Sequence, residues 1–228
     1  EVSYNTISGH CFGTRISQCD TYKAIGNVIF DIPGQHGMYL STCNDVIISD
    51  NTIFDCSHEG IKNQLATDGF VSDGLIITNN RVWGCGVNGI TAVALDTTTG
   101  SSFTRVTISD NIIGPNVYLP ITVRKVSGKI AQNLIQGSET YGVLAQGFSG
   151  EITKNSISDT EWNAILVQPN GSVLIADNVT MGVCKNVAGI PASDATQNII
   201  NLTSFDGGAH VVQMRDNSFM AQTVPASM

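Results

Sequence analysis

An Asn followed two residues later by an apolar residue recurs along this whole chain, and that repeat decides what the chain can fold into. The copies are Asn5-Thr6-Ile7, Asn27-Val28-Ile29, Asn51-Thr52-Ile53, Asn80-Arg81-Val82, Asn111-Ile112-Ile113, Asn133-Leu134-Ile135, Asn155-Ser156-Ile157 and Asn217-Ser218-Phe219, with Asn178-Val179-Thr180 a weaker member. Successive separations are 22, 24, 29, 31, 22, 22, 23 and 39 residues. A floor near 22 with occasional excess is the signature of a coil that tolerates loop insertions.

Each repeat has the same internal order. Before the Asn runs an alternating segment, as in Val46-Ile47-Ile48-Ser49, Leu75-Ile76-Ile77-Thr78, Val106-Thr107-Ile108-Ser109 and Val173-Leu174-Ile175-Ala176. About nine residues after the Asn a second segment begins at a small residue: Gly37-Met38, Gly60-Ile61, Gly89-Ile90, Pro120-Ile121, Gly142-Val143, Ala164-Ile165. Short period-two strands repeated at this interval stack as parallel sheets. The fold class predicted is therefore all-β, a right-handed parallel β-helix of about nine coils forming one domain over 1–228. Each Asn is expected to take the left-handed turn between sheets and to bond its counterpart in the next coil. A leucine-rich repeat is excluded by the lack of an L-x-x-L-x-L core, and a propeller by the lack of blades of about 40 residues.

Register makes further demands. Phe30, Phe54 and Trp83 share one offset and should stack, as should Cys56 and Cys85. Asp50, Asp110, Asp177 and Asp216 each precede a ladder Asn and read as turn chemistry. The excess residues, at 66–74, 96–103 and 185–197, are expected to project as loops, where binding commonly sits.

Composition narrows the partners. A net charge of −8 and a pI of 4.7 repel phosphate backbones, so nucleic acid is not expected. The absence of an 18-residue apolar run excludes membrane insertion through a helix. The six cysteines (Cys11, Cys19, Cys43, Cys56, Cys85, Cys184) show no metal spacing and read as buried, unpaired thiols of a protein folded in a reducing cytoplasm. No metal or other cofactor is predicted.

The Asn ladder followed by Gly-Ile strands resembles the pectate-lyase-like right-handed β-helix superfamily over essentially all residues. With its free cysteines and an abrupt start lacking a charged leader, the chain is most similar to a fragment of a bacteriophage tailspike or capsule depolymerase. That resemblance implies a homotrimer, folded in a bacterial cytoplasm, carried on a virion tail, and acting on a bacterial surface polysaccharide. The expected activity is glycosidic hydrolysis; a non-catalytic adhesin, or a lyase or epimerase of the same fold, remains the alternative.

Two sets of side chains suit such a role. Glu139 and Glu161 both fall six residues after their Asn, which places them in adjacent coils about 5 Å apart in backbone. Paired carboxylates suit an acid and a nucleophile or base, with Asp159 on the approach. Tyr118, Tyr141 and Trp162 on the same edge offer faces for sugar rings, and Arg124, Gln146 and Gln168 point outward to bond hydroxyls or a carboxylate. The second set is His36, His58 and Glu59, with Lys62 nearby, where a His–carboxylate pair could perform acid–base work. The same residues would equally serve to solvate exposed turns.

Overall fold

The computed structural model describes residues 1–95, 97, 99–115, 117–182, 200–203 and 210–220. The chain winds as a right-handed parallel β-helix. Every strand pairing among these residues is parallel, and the coil count equals the nine strands that follow the ladder asparagines. That nine-stranded sheet runs from Thr6–Ser8 through Val28–Ile32, Thr52–Cys56, Arg81–Trp83, Ile112–Ile113, Leu134–Ser138, Ser156–Thr160 and Val179–Met181 to Ser218–Met220. The other two walls join into one 16-stranded sheet, because Val143–Thr153 and Ile165–Ala176 continue from one wall round the bend into the next.

Alternation fixes which residues are inside. On the nine-stranded sheet Ile29, Ile53, Val82, Ile113, Ile135 and Ile157 occupy one inward column and are buried. A one-residue slip would turn that column to solvent, so the pattern specifies the register as well as the strands.

The ladder asparagines from Asn27 to Asn178 are buried, and all nine are linked. Each Oδ1 accepts both the backbone N–H and the Nδ2 of the Asn one coil earlier, as in Asn51 N and Nδ2 to Asn80 Oδ1 at 3.0 and 2.9 Å. From Asn27 on, each Nδ2 also donates to a backbone carbonyl of a preceding coil, Ala24 O for Asn51 and Ile77 O for Asn111. The chain of bonds runs unbroken from Asn5 to Asn217.

The left-handed bend, expected at the Asn, belongs instead to the residue before it. Asp50, Asn79, Asp110, Gln132, Lys154, Asp177 and Asp216 have φ between 53° and 59°. The Asn backbone cannot take that bend while its N–H is held on the next Oδ1, so the strain moves one residue back. This also confirms the turn reading of the four aspartates.

The aromatic column is present as expected: Phe30 stacks on Phe54 at 5.2 Å and Phe54 on Trp83 at 4.7 Å, with planes 7° and 2° apart. Cys56 and Cys85 are buried neighbours, and the Cys85 thiol together with burial pushes the Cys56 thiol up. Cys43 is also buried, but Cys11 is exposed and Cys19 partly so, against the expectation of wholly buried thiols. Cys184 lies outside the described residues.

The first two insertions do not simply project. Val71–Asp73 forms an added strand in register with Ser102, Phe103 and Thr104 of the next insertion. Asp73 pairs with Arg105 there, and Asp68 accepts the Thr99 N–H at 2.8 Å. Asp96 and the 185–197 insertion lie outside the described residues.

Candidate functional site

The edge where each coil leaves the nine-stranded sheet and enters the next wall carries every predicted site residue except the Arg124–Gln146–Gln168 column and Asp159. Backbone bonds fix its register: Gly13 N to His36 O, Gly37 N to Glu59 O, Gly60 N to Asn88 O, and Gly142 N to Asn163 O. Phe12, His36, Glu59, Asn88, Leu119, Tyr141 and Asn163 therefore form one column along the solenoid axis. Six steps of strand spacing make it about 29 Å long. The two candidate sets, separate in the sequence, are two ends of this edge.

At the first end, His36 Nδ1 lies 2.7 Å from Glu59 Oε2 and Lys62 Nζ lies 2.9 Å from Oε1, with the His36 and Glu59 side chains 6% and 7% exposed. The contact is close but off the line of a well-formed hydrogen bond. Burial alone would raise the Glu59 carboxyl; the His36 and Lys62 contacts outweigh it and hold it at about 2. The carboxylate is thus held in its ionised form between the two basic groups.

Around the pair the His36 ring stacks on Tyr39 at 5.1 Å and meets His58 edge-on at 5.5 Å. Phe12 packs at 5.8 Å, and the Arg15 guanidinium lies 5.2 Å over the Phe12 ring. Phe12, Tyr39 and Arg15 were not anticipated. Phe12 holds the same offset before Gly13 that His36 holds before Gly37, so the small-residue anchor was the available signal.

At the second end Glu139 and Glu161 are in register, as predicted: Ser138 pairs with Thr160, and the Glu161 and Trp162 N–H groups donate to Ser138 O and Thr140 O, both at 3.0 Å. Glu139 is exposed and Glu161 partly so. Tyr118 is 45% and Trp162 43% exposed. Tyr141 meets the Trp162 ring edge-on at 5.3 Å, and burial and the neighbouring Tyr118 push its hydroxyl up. Thr140 Oγ1 and Ser138 Oγ donate to Tyr118 O at 2.8 and 3.1 Å, tying the turns to each other.

Arg124, Gln146 and Gln168 stand in successive strands on the outer face, and Gln146 Nε2 donates to Gln168 Oε1 at 2.9 Å. Asp159 has φ 58° at the offset where Gly9, Gly84, Gly137 and Gly182 also take positive φ, so a sharp bend accounts for it. A shallow groove of about 330 Å³ lies at the far end of the Leu119–Arg124 strand, lined by Ser101, Phe103, Lys125, Ser149 and Asn170, and includes none of the predicted residues.

These features define a right-handed parallel β-helix with a polar and aromatic edge running along its axis. A family model described as "Periplasmic copper-binding protein (NosD)" matches residues 1–118, just over half of the chain, and the chain belongs to that family. No curated protein and no solved structure matches it. The match carries the fold, not a tailspike identity. The family is described as periplasmic, which overturns the expectation of a virion tail protein folded in the cytoplasm. The unpaired thiols misled that inference: Cys43, Cys56 and Cys85 are core-packing residues, so they report packing and not redox compartment.

A copper centre of the usual protein kind draws three or more imidazole, thiolate, thioether or carboxylate ligands to one point. Among the described residues no three of His, Cys, Asp and Glu converge. His36 Nδ1 is against Glu59, His58 Nδ1 lies 3.2 Å from Ser57 Oγ, and the Cys43, Cys56 and Cys85 thiols donate to carbonyls two residues back. The described residues do not fit a copper centre.

Proposed function

We propose that this protein binds a polysaccharide laid along the axis of the β-helix, across the edge from Phe12 to Trp162. The observation that carries the reading is the placing of Tyr118, Tyr141 and Trp162 in three consecutive coils of one edge, two of them well exposed. Large rings held open to water on a rigid scaffold favour a ligand with an apolar face and a polar rim, which describes a sugar ring. The Arg124–Gln146–Gln168 column supplies planar hydrogen-bonding groups beside them. Repetition of one coil after another suits a repeating polymer better than a single small molecule. The family's periplasmic description points to a glycan of the cell envelope.

The register of Glu139 and Glu161 favours a second reading, glycosidic hydrolysis on the same edge. One strand step, about 4.8 Å, is near the carboxylate separation of a retaining mechanism. One carboxylic acid would protonate the departing oxygen while the other carboxylate attacks the anomeric carbon, and water would then release the glycosyl group. Asp159, held at its bend, would assist only from outside that pair.

Affinity electrophoresis through gels containing purified envelope polysaccharides tests the binding reading. Trp162→Ala and Tyr118→Ala should each weaken retention about tenfold. Unchanged retention in both would refute the site. Product analysis tests hydrolysis: new reducing ends with the wild type, and none with Glu139→Gln or Glu161→Gln while retention persists.

A further inference from the structure

On the outer face of the nine-stranded sheet the aromatic column Phe30–Phe54–Trp83 ends abruptly. Backbone register carries it on to Gly114 and then Gln136, since Gly114 N donates to Val82 O at 2.8 Å and Ile113 pairs with Ile135. The next ring position is therefore held by a residue with no side chain. A Cβ placed on Gly114 would sit 3.0 Å from Trp83 Cβ and 3.9 Å from its Cγ, so the glycine lies against the root of the indole side chain. Gly114 has no positive φ, so it is the close approach to Trp83 Cβ, and not a left-handed bend, that favours a glycine there.

The geometry points to a slot one ring thick. Existing rings in this column are 4.7 and 5.2 Å apart, close to one coil step. Trp83 and Gln136 are two steps apart, about 9.5 Å in backbone. A single flat ring lying above Gly114 would be one step from each, with Trp83 as its floor and the exposed Gln136 amide at its other face. Arg81, exposed, stands two residues before Trp83 on the same strand and face.

We propose that this slot binds one pyranose ring of a neutral glycan. The indole would take the apolar C–H face of the sugar, and Gln136 and Arg81 would bond its hydroxyls. An anionic nucleobase-bearing polymer is disfavoured, because one arginine on a chain of net charge −8 offers too little neutralisation. The slot lies on a different sheet from the edge described above and depends on different residues.

The chain has two tryptophans, Trp83 and Trp162, so Trp162→Phe leaves the indole of the slot as sole reporter. Titrating that variant with maltohexaose, cellohexaose and chitohexaose should give, for at least one, a saturable blue shift of tryptophan emission. Adding Gly114→Leu fills the slot and should abolish the shift. Adding Gln136→Ala, a surface change that leaves the column packing intact, should weaken binding about fivefold. The absence of a shift with all three sugars overturns the proposal. So does a shift that is unaltered by Gln136→Ala or by a folded Gly114→Leu variant. Because Trp162 is already replaced, failure here is separable from failure of binding at the edge.

Discussion

His36 Nδ1 stands 2.7 Å from Glu59 Oε2 across the step between two adjacent coils, with both side chains almost wholly buried. The pair pins one turn to the next at a point where neither backbone supplies a charge. Lys62, on the strand that follows Glu59, completes the triad.

This triad sets a pH dependence. The Glu59 carboxyl is held near 2 against an ordinary 4.5, so its contribution is fully present above about pH 4.5 and is lost as the pH falls towards 2. Glu59→Gln should cost about 2 kcal/mol near neutral pH, after discounting for partial screening by solvent. Urea unfolding at several pH values should show the gap between wild type and variant closing below about pH 4.5. A gap independent of pH would show that the ionised carboxylate is not what stabilises this turn.

The asparagine ladder should be steeply position-dependent. Asn111→Ala removes the acceptor of two bonds from Asn80, and leaves Asn133 Oδ1 and the Ile77 carbonyl without the Asn111 Nδ2 donor, all in the buried interior. Several unsatisfied groups at about 1–3 kcal/mol each make a loss of about 4 kcal/mol the expected result. Asn5→Ala, at the exposed first coil, should cost about 1 kcal/mol. Equal losses at both positions in thermal unfolding would contradict the ladder as a source of stability.

Lys154 occupies the left-handed bend before Asn155 with φ 58°. Its Cβ is strained there, and glycine would relieve the strain at the cost of a more flexible unfolded chain. Lys154→Gly should leave stability unchanged or raise it by up to about 1 kcal/mol, whereas Lys154→Val should lower it by at least about 1 kcal/mol. Denaturant midpoints of the two variants check this.

Asn63 is fully buried between Leu40 and Ala92 in neighbouring strands, and among the described residues neither its Oδ1 nor its Nδ2 has a hydrogen-bond partner. Replacing it with an apolar residue of similar size removes two unsatisfied groups from the core. Asn63→Leu should stabilise the fold by about 1–2 kcal/mol. A melting temperature lower than that of the wild type would show that Asn63 is solvated or bonded within the solenoid.

The β-helix was legible because its demands are local and periodic. A buried Asn at each corner and a small residue at each re-entry recur at fixed offsets, and side chains such as Phe30, Phe54 and Trp83 then fall into columns. The position of the left-handed bend was one residue out, since only the bond from the Asn backbone N–H to the next Oδ1 reveals it. The strand Val71–Asp73 was invisible because three residues without alternation carry no periodic signal; it forms against its neighbour in the next insertion. Glu139 and Glu161 were placed correctly by counting, but the union of both candidate sets on one edge was not seen. Counted from the asparagines, Glu59, Asn88, Leu119, Tyr141 and Asn163 all stand eight residues on, but His36 stands nine after Asn27 and Phe12 seven after Asn5, and anchoring on Gly13, Gly37 and Gly60 brings those two into the column. The compartment was misread because thiols packed in the core, Cys43, Cys56 and Cys85, were read as a sign of reducing surroundings.

We propose the Phe12–Trp162 edge as a polysaccharide-binding surface. Its most direct test is retention of the wild-type chain, and of the double variant Trp162→Ala/Tyr118→Ala, on a panel of immobilised, purified bacterial envelope polysaccharides. At least one glycan should retain the wild type and release the folded double variant. Equal retention of both proteins, or no retention of the wild type by any glycan, would contradict the claim.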